Sequence, residues 1–213
     1  MTTPAILLTA LAAVSASATM VAETIGRKKI VYVFKPAATI SLIVLAMLRP
    51  GFEWPGLYKT FLAAGLIASL AGDVFLMLKD SYFIAGLASF LVAQLLYIRA
   101  FLTVTPPRVD FFSVLPLLLF ALFMMAILFP YLGKLKIPVA VYVLVITVMA
   151  GLAVDRYVVA GGPLAFRACL GAILFLISDA ILAINRFARK IPYGRALNLL
   201  TYFVAQWFLA MSI

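Results

Sequence analysis

Apolar runs of roughly 20 residues recur along the whole chain, the length a helix needs to cross about 30 Å of hydrocarbon. Short polar or glycine- and proline-bearing breaks separate them, among them Arg27-Lys28-Lys29, Lys79-Asp80, Gly161-Gly162-Pro163 and Arg189-Lys190. The pattern predicts eight transmembrane helices: Pro4–Ala22, Ile30–Leu48, Tyr58–Leu78, Tyr82–Leu102, Phe111–Pro130, Ile137–Tyr157, Leu164–Asn185 and Pro192–Ser212. The expected fold is all-α and polytopic, one transmembrane domain over residues 1–213, with no soluble domain and no long linker. The opening run lacks the positively charged n-region of a signal peptide and is expected to be a retained helix.

Two carboxylates interrupt this apolar pattern. Asp73 lies in Leu70-Ala71-Gly72-Asp73-Val74-Phe75, and Asp179 in Leu176-Ile177-Ser178-Asp179-Ala180-Ile181. An ionisable group at such depth costs several kcal/mol unless it is protonated, paired or set against a wet cavity, so it marks a candidate site.

Composition narrows the chemistry. Of 213 residues, 67% are hydrophobic and 11% charged, against about a quarter charged in soluble domains. The net charge of +10 comes from 17 basic residues scattered over the loops. They are read as topology signals and contacts to anionic lipid head groups, not as a nucleic-acid surface. Histidine is absent and Cys169 is the one cysteine, which excludes His-based catalysis and the usual zinc sites. Cys169 is expected to be a packing residue. No metal or cofactor is expected.

The loops after spans one, three, five and seven, with Arg195, hold ten basic residues, and the opposite side holds six. That bias puts both termini on the non-cytoplasmic side. It also puts four polar residues at one depth. Lys35 lies six residues past Lys29, Asp73 six before Lys79, Asp179 seven before Arg186, and Asn198 six past Pro192. Each is then about 9–10 Å inside the cytoplasmic end of its helix, in one shared polar layer. Gln94, Gln206 and Tyr202 lie deeper, where interhelical hydrogen bonding is their commoner role. An internal echo accompanies the layer: Gly72-Asp73-Val74-Phe75-Leu76 against Ser178-Asp179-Ala180-Ile181-Leu182, then Val92-Ala93-Gln94 against Val204-Ala205-Gln206. Such an echo points to a four-plus-four duplication with the site between the halves. Asp155, Arg156, Glu23 and Asp80 are expected to be solvated, and Trp54, Tyr58 and Tyr131 to belong to the interfacial aromatic belt.

Burial favours the protonated carboxylic acid, and two close carboxyls split into an acid and a base. Lys35 would pair with an aspartate or hold a phosphate. One donor, one ionised partner and one cation suffice for acid-catalysed hydrolysis without a metal. The structural alternative is that Asp73 and Asp179 pair with Lys35 and Asn198 only to lock the bundle.

Taken in order, Lys35-Pro36, Gly72-Asp73-x-x-Leu76-Met77, Phe83-x-x-Gly86-Leu87-x-x-Phe90, Ser178-Asp179-x-x-Leu182-Ala183 and Tyr202-x-x-Ala205-Gln206 resemble the YhhN family. The resemblance runs from the second span to the eighth. That family includes lysoplasmalogenases, integral membrane enzymes that hydrolyse the vinyl ether of lysoplasmalogens to a fatty aldehyde and a glycerophospho-base. The resemblance implies that Asp73 and Asp179 are the catalytic pair. Lys35, Tyr202, Asn198, Gln94 and Gln206 are the candidate substrate-binding residues, and the phosphate is expected near Lys35 or near Arg186 and Arg189. Where family members often carry histidine in the fourth span, this chain has Gln94. The partners implied are a lysophospholipid and membrane lipids. The membrane implied is the inner membrane of a bacterium, or the endoplasmic reticulum in a eukaryote.

A proton-coupled transporter of a small solute or lipid uses intramembrane carboxylates in the same way and is the main alternative. An intramembrane aspartyl protease fits less well, because Ala71-Gly72-Asp73 and Ser178-Asp179 depart from its expected motifs.

Overall fold

The computed structural model describes residues 2–49, 56–104, 108 and 111–213. Its regular structure is helical throughout. In chain order the long helices are α1 (Thr3–Thr24), α2 (Lys28–Leu48), α3 (Gly56–Met77), α4 (Phe83–Leu102), α5 (Phe111–Leu128), α6 (Lys136–Ala160), α7 (Gly162–Ala183) and α8 (Gly194–Ala210). Seven of them are long and apolar enough to cross a membrane. The eighth expected span is shorter than its apolar run. With 17 residues, α8 is about 26 Å long, less than the ~30 Å of a hydrocarbon core. Tyr193, at φ 56°, bends the chain just before it. Past Ala210 the chain turns back, and the Ser212 amide donates to the Leu209 carbonyl at 3.1 Å.

The distribution of side chains is inverted relative to a soluble protein. Leu122 (68% exposed) and Ile137 (77%) face outward, while Asp73, Gln94 and Gln206 are buried. Lipid tails solvate the first kind of surface and cannot solvate the second, so polar groups gather inside. The chain is a multi-pass integral membrane protein.

Helices adjacent in sequence make the broadest contacts, above all α1 with α2, α3 with α4 and α7 with α8. Small residues permit this closeness. A Cβ on Gly72 would stand 2.6 Å from Phe90 Cε2, so this glycine lets α4 approach α3 directly beside Asp73. At the α6–α7 junction, Gly161 and Gly162 take φ of 62° and 78°, the left-handed backbone that reverses the chain.

Three expectations about the helix ends are corrected. Tyr58 is fully buried, not interfacial, and its hydroxyl lies 2.7 Å from Ser212 Oγ. Asp155 and Arg156 are buried at 4% and 1% exposure, not solvated. The reason is that α6 continues to Ala160, which keeps both residues inside the bundle. Asp155 accepts from the Arg108 amide at 3.1 Å, and the Arg156 guanidinium stacks 4.3 Å over the Tyr58 ring. Asp80 is exposed as expected, Glu23 is half-buried in an ion pair with Arg195, and Cys169 is buried. Tyr131 is exposed, and Trp54 lies outside the described residues.

Candidate functional site

Polar side chains from six helices meet inside the bundle in two clusters, one around each aspartate. Asp73, on α3, is 1% exposed. Its Oδ1 lies 3.1 Å from Lys35 Nζ, and its Oδ2 accepts from Thr39 Oγ1 at 2.8 Å and from the Tyr202 hydroxyl at 2.7 Å. Lys35 and Thr39 are one turn apart on α2, so one helix face supplies both; Tyr202 arrives from α8. Both carboxylate oxygens are therefore engaged, as a buried ion pair requires if it is not to destabilise the fold.

Asp179, on α7, is only half-buried. The Tyr142 hydroxyl, from α6, donates to its Oδ2, and Gln94 Nε2, from α4, approaches the same oxygen at 3.5 Å. Both contacts fall on one oxygen. The Gln94 side chain is fully buried, and its Oε1 has no hydrogen-bond partner among the described residues.

The two clusters share an aromatic wall. Tyr202 packs edge-to-face on Phe90 and on Phe175, each at 5.8 Å between ring centres, and Phe90 meets Phe175 at 6.0 Å. Behind the wall, Tyr97 donates to Gln206 Oε1 at 2.9 Å and lies 3.3 Å from Ser69 Oγ.

A cleft of about 700 Å³, its open mouth included, runs between α4, α5, α6 and α7. Its walls are hydrocarbon and aromatic. Among the described residues lining it, the only polar side chains are Tyr142, Asp179 and Arg186. Arg186 sits in the π-helical turn Ile184–Ala188 that ends α7, where the extra residue per turn widens the helix. Asp73 and Lys35 are not among the lining residues. No group of three histidine, cysteine or acidic residues among the described residues could hold a metal ion.

The seven candidate residues thus divide. Lys35, Asp73 and Tyr202 form one contact set, and Asp179 and Gln94 form another. Asn198 reaches neither carboxylate. Its Nδ2 donates to Ser178 O at 2.9 Å and to Ser178 Oγ at 2.8 Å, fastening α8 to the residue beside Asp179. Gln206 belongs to the Tyr97 layer. Sequence reasoning passed over Thr39 and Tyr142, although the signals were present. Thr39 is four residues past Lys35, on the same helix face. Tyr142 is six residues past Lys136, the offset that brought out Lys35 and Asp73.

A family model described as the YhhN family matches residues 30–213. The chain is 36% identical over 158 residues to the human protein named lysoplasmalogenase TMEM86A, covering 72% of this chain and 65% of that one. It is 33% identical over 160 residues to the Rattus norvegicus lysoplasmalogenase TMEM86B, covering 74% and 63%. An Escherichia coli O157:H7 relative, named uncharacterized membrane protein YhhN, is 27% identical over 184 residues, covering 85% and 86%. The chain thus spans just under two thirds of the two named lysoplasmalogenases. No solved structure matches the chain.

Proposed function

This chain belongs to the YhhN family, and on that premise we propose that it is a membrane hydrolase cleaving the vinyl ether of lysoplasmalogen, or of a related ether lysolipid. The products are a fatty aldehyde and a glycerophospho-base. The relatives named lysoplasmalogenase support the reaction class. The observation that carries it is the cleft, a hydrocarbon-lined slot whose lining holds one carboxyl, Asp179, and one guanidinium, Arg186. That is the complement of an amphiphile with an acid-labile bond between its tail and its phosphate.

In this reading Asp179 is the proton donor. Its carboxylic acid protonates the outer alkene carbon of the vinyl ether, and the electron pair of the ether oxygen stabilises the resulting oxocarbenium ion. Water adds to the carbon bearing oxygen, and the Asp179 carboxylate takes the proton that water loses. In the hemiacetal, Asp179 returns a proton to the glycerol oxygen as the carbon–oxygen bond breaks. The hemiacetal hydroxyl gives its proton to the Asp179 carboxylate, which leaves the aldehyde and restores the carboxylic acid. Tyr142 and Gln94 hold Oδ2, which leaves Oδ1 as the oxygen turned to the substrate.

Asp73 is the second member of the proposed pair. Ion-paired with Lys35, it fixes Tyr202, whose ring braces Phe90 in the cleft wall. Among the described residues, α4 and α5 both line the cleft yet make little contact with each other, so a lysolipid can enter sideways from the bilayer.

We also read the chain as a four-plus-four duplication with both termini non-cytoplasmic. The aspartate of α3 is held from α2 and α8, and that of α7 from α6 and α4, the exchange expected of two halves about a pseudo-twofold axis.

Aldehyde release by purified protein in detergent tests the hydrolase. Asp179→Asn should lose about 10²–10⁴-fold in kcat, the usual contribution of a general acid. Tyr142→Phe should lose about 10-fold or more, the worth of a hydrogen bond to a charged group. Near-normal turnover by Asp179→Asn would remove the proposed donor. Uptake of intact solute into sealed vesicles without aldehyde would establish the transporter instead.

A further inference from the structure

We propose that Arg186 is the residue that reads the substrate phosphate, and that Asp80 occupies its guanidinium when the cleft is empty. The inference rests on the hydrolase reading above and assigns a specificity-determining residue within it.

Arg186 is the only cation among the described residues lining the cleft. Of the other cations expected to hold phosphate, Lys35 is committed to Asp73 at 3.1 Å and Arg189 is not among the lining residues. Arg186 is seven residues past Asp179, in the π-helical turn that ends α7, roughly 10 Å further along the axis, and both side chains line the same cleft. A glycerol backbone bridges such a gap. With the vinyl ether at Asp179, the phosphate at the other end of the glycerol falls at Arg186.

The guanidinium is held in place for this role. It stacks 3.9 Å over the Phe83 ring, and Phe83 meets Phe187 edge-on at 5.7 Å, both rings lining the cleft. The side-chain amide oxygen of Asn185 next door accepts from the Ile191 backbone N–H at 3.1 Å and fixes the turn that carries Arg186.

Arg186 Nη1 also lies 3.1 Å from Asp80 Oδ1, but the Asp80 side chain is 92% exposed. Water competes strongly for so exposed a pair. A phosphate presents two oxygens to the planar fork and binds it more firmly. Substrate therefore displaces Asp80, and the carboxylate left beside the site opposes the incoming phosphate.

This exchange makes a prediction that a structural ion pair does not. The experiment compares kcat/KM for lysoplasmalogen and for its phosphate-free counterpart, 1-alkenylglycerol, in wild type, Arg186→Gln and Asp80→Asn. Arg186→Gln should raise KM for lysoplasmalogen at least 10-fold and lower the ratio of the two kcat/KM values by a similar factor. Asp80→Asn should move KM the other way, lowering it severalfold. If the pair only braces α7 against the start of α4, both variants shift in the same direction on both substrates and the ratio stays at its wild-type value; that outcome overturns the assignment. Wild type that releases aldehyde from neither substrate removes the hydrolase reading, and the assignment goes with it.

Discussion

Lys35 and Asp73 show how a buried charge pair constrains its own replacement. Removing one partner leaves the other buried and unmatched, which destabilises by about 3–5 kcal/mol, whereas replacing both with apolar residues is often neutral. Lys35→Met should therefore lower the thermal midpoint in detergent sharply, and Lys35→Met with Asp73→Leu should recover most of the loss. If the single variant melts like wild type, the pair contributes nothing to the fold. Asp179 differs because it is half-buried, faces the cleft and holds no cation among the described residues. The sequence set the two aspartates side by side as equals at one depth. Their different surroundings depend on which helices pass beside α3 and α7, and no local pattern encodes that. The same limit explains Arg156. Its place near a span end suggests water, but the Tyr58 ring that receives its guanidinium comes from a helix almost a hundred residues earlier.

Helices here are set by apolar length, and their contacts by small residues. Gly72 allows Phe90 against α3, and Phe90 in turn walls the cleft. Gly72→Val should force α4 away and destabilise by about 1–3 kcal/mol through overpacking, read as a fall in the detergent melting temperature with a loss of aldehyde release. An unchanged melting temperature would show that α3 and α4 have slack. Seven helices matched the apolar runs because hydrophobic length is a direct sequence signal. The ends of the eighth followed instead from the left-handed Tyr193 and from the turn after Ala210, which cut short the span expected over Pro192–Ser212. The π-helical turn that carries Arg186 likewise has no clear signature in Ile184-Asn185-Arg186-Phe187-Ala188.

Across the whole molecule, the basic residues are distributed unevenly between the two ends of the bundle. The proposed orientation puts Lys190 in the cytoplasm and both termini outside. In a Cys169→Ser background, Lys190→Cys should resist a membrane-impermeant thiol reagent applied to intact cells and react once the membrane is opened. Labelling of intact cells would invert the orientation. The sequence alone determined that the chain crosses a membrane many times as helices, since backbone groups in hydrocarbon must bond within their own segment and about 20 apolar residues are needed to span it. Counting along a helix also marked Asp73, Gln94 and Gln206 as interior, though it set Asp155 and Arg156 in water. Only the tertiary structure decided which of them meet. Lys35 went to Asp73, Asn198 to Ser178, and Tyr142 to Asp179, and the cleft opened at one carboxyl and not the other. Depth is a one-dimensional property that each helix carries by itself, whereas lateral position and facing are settled only when eight helices pack together.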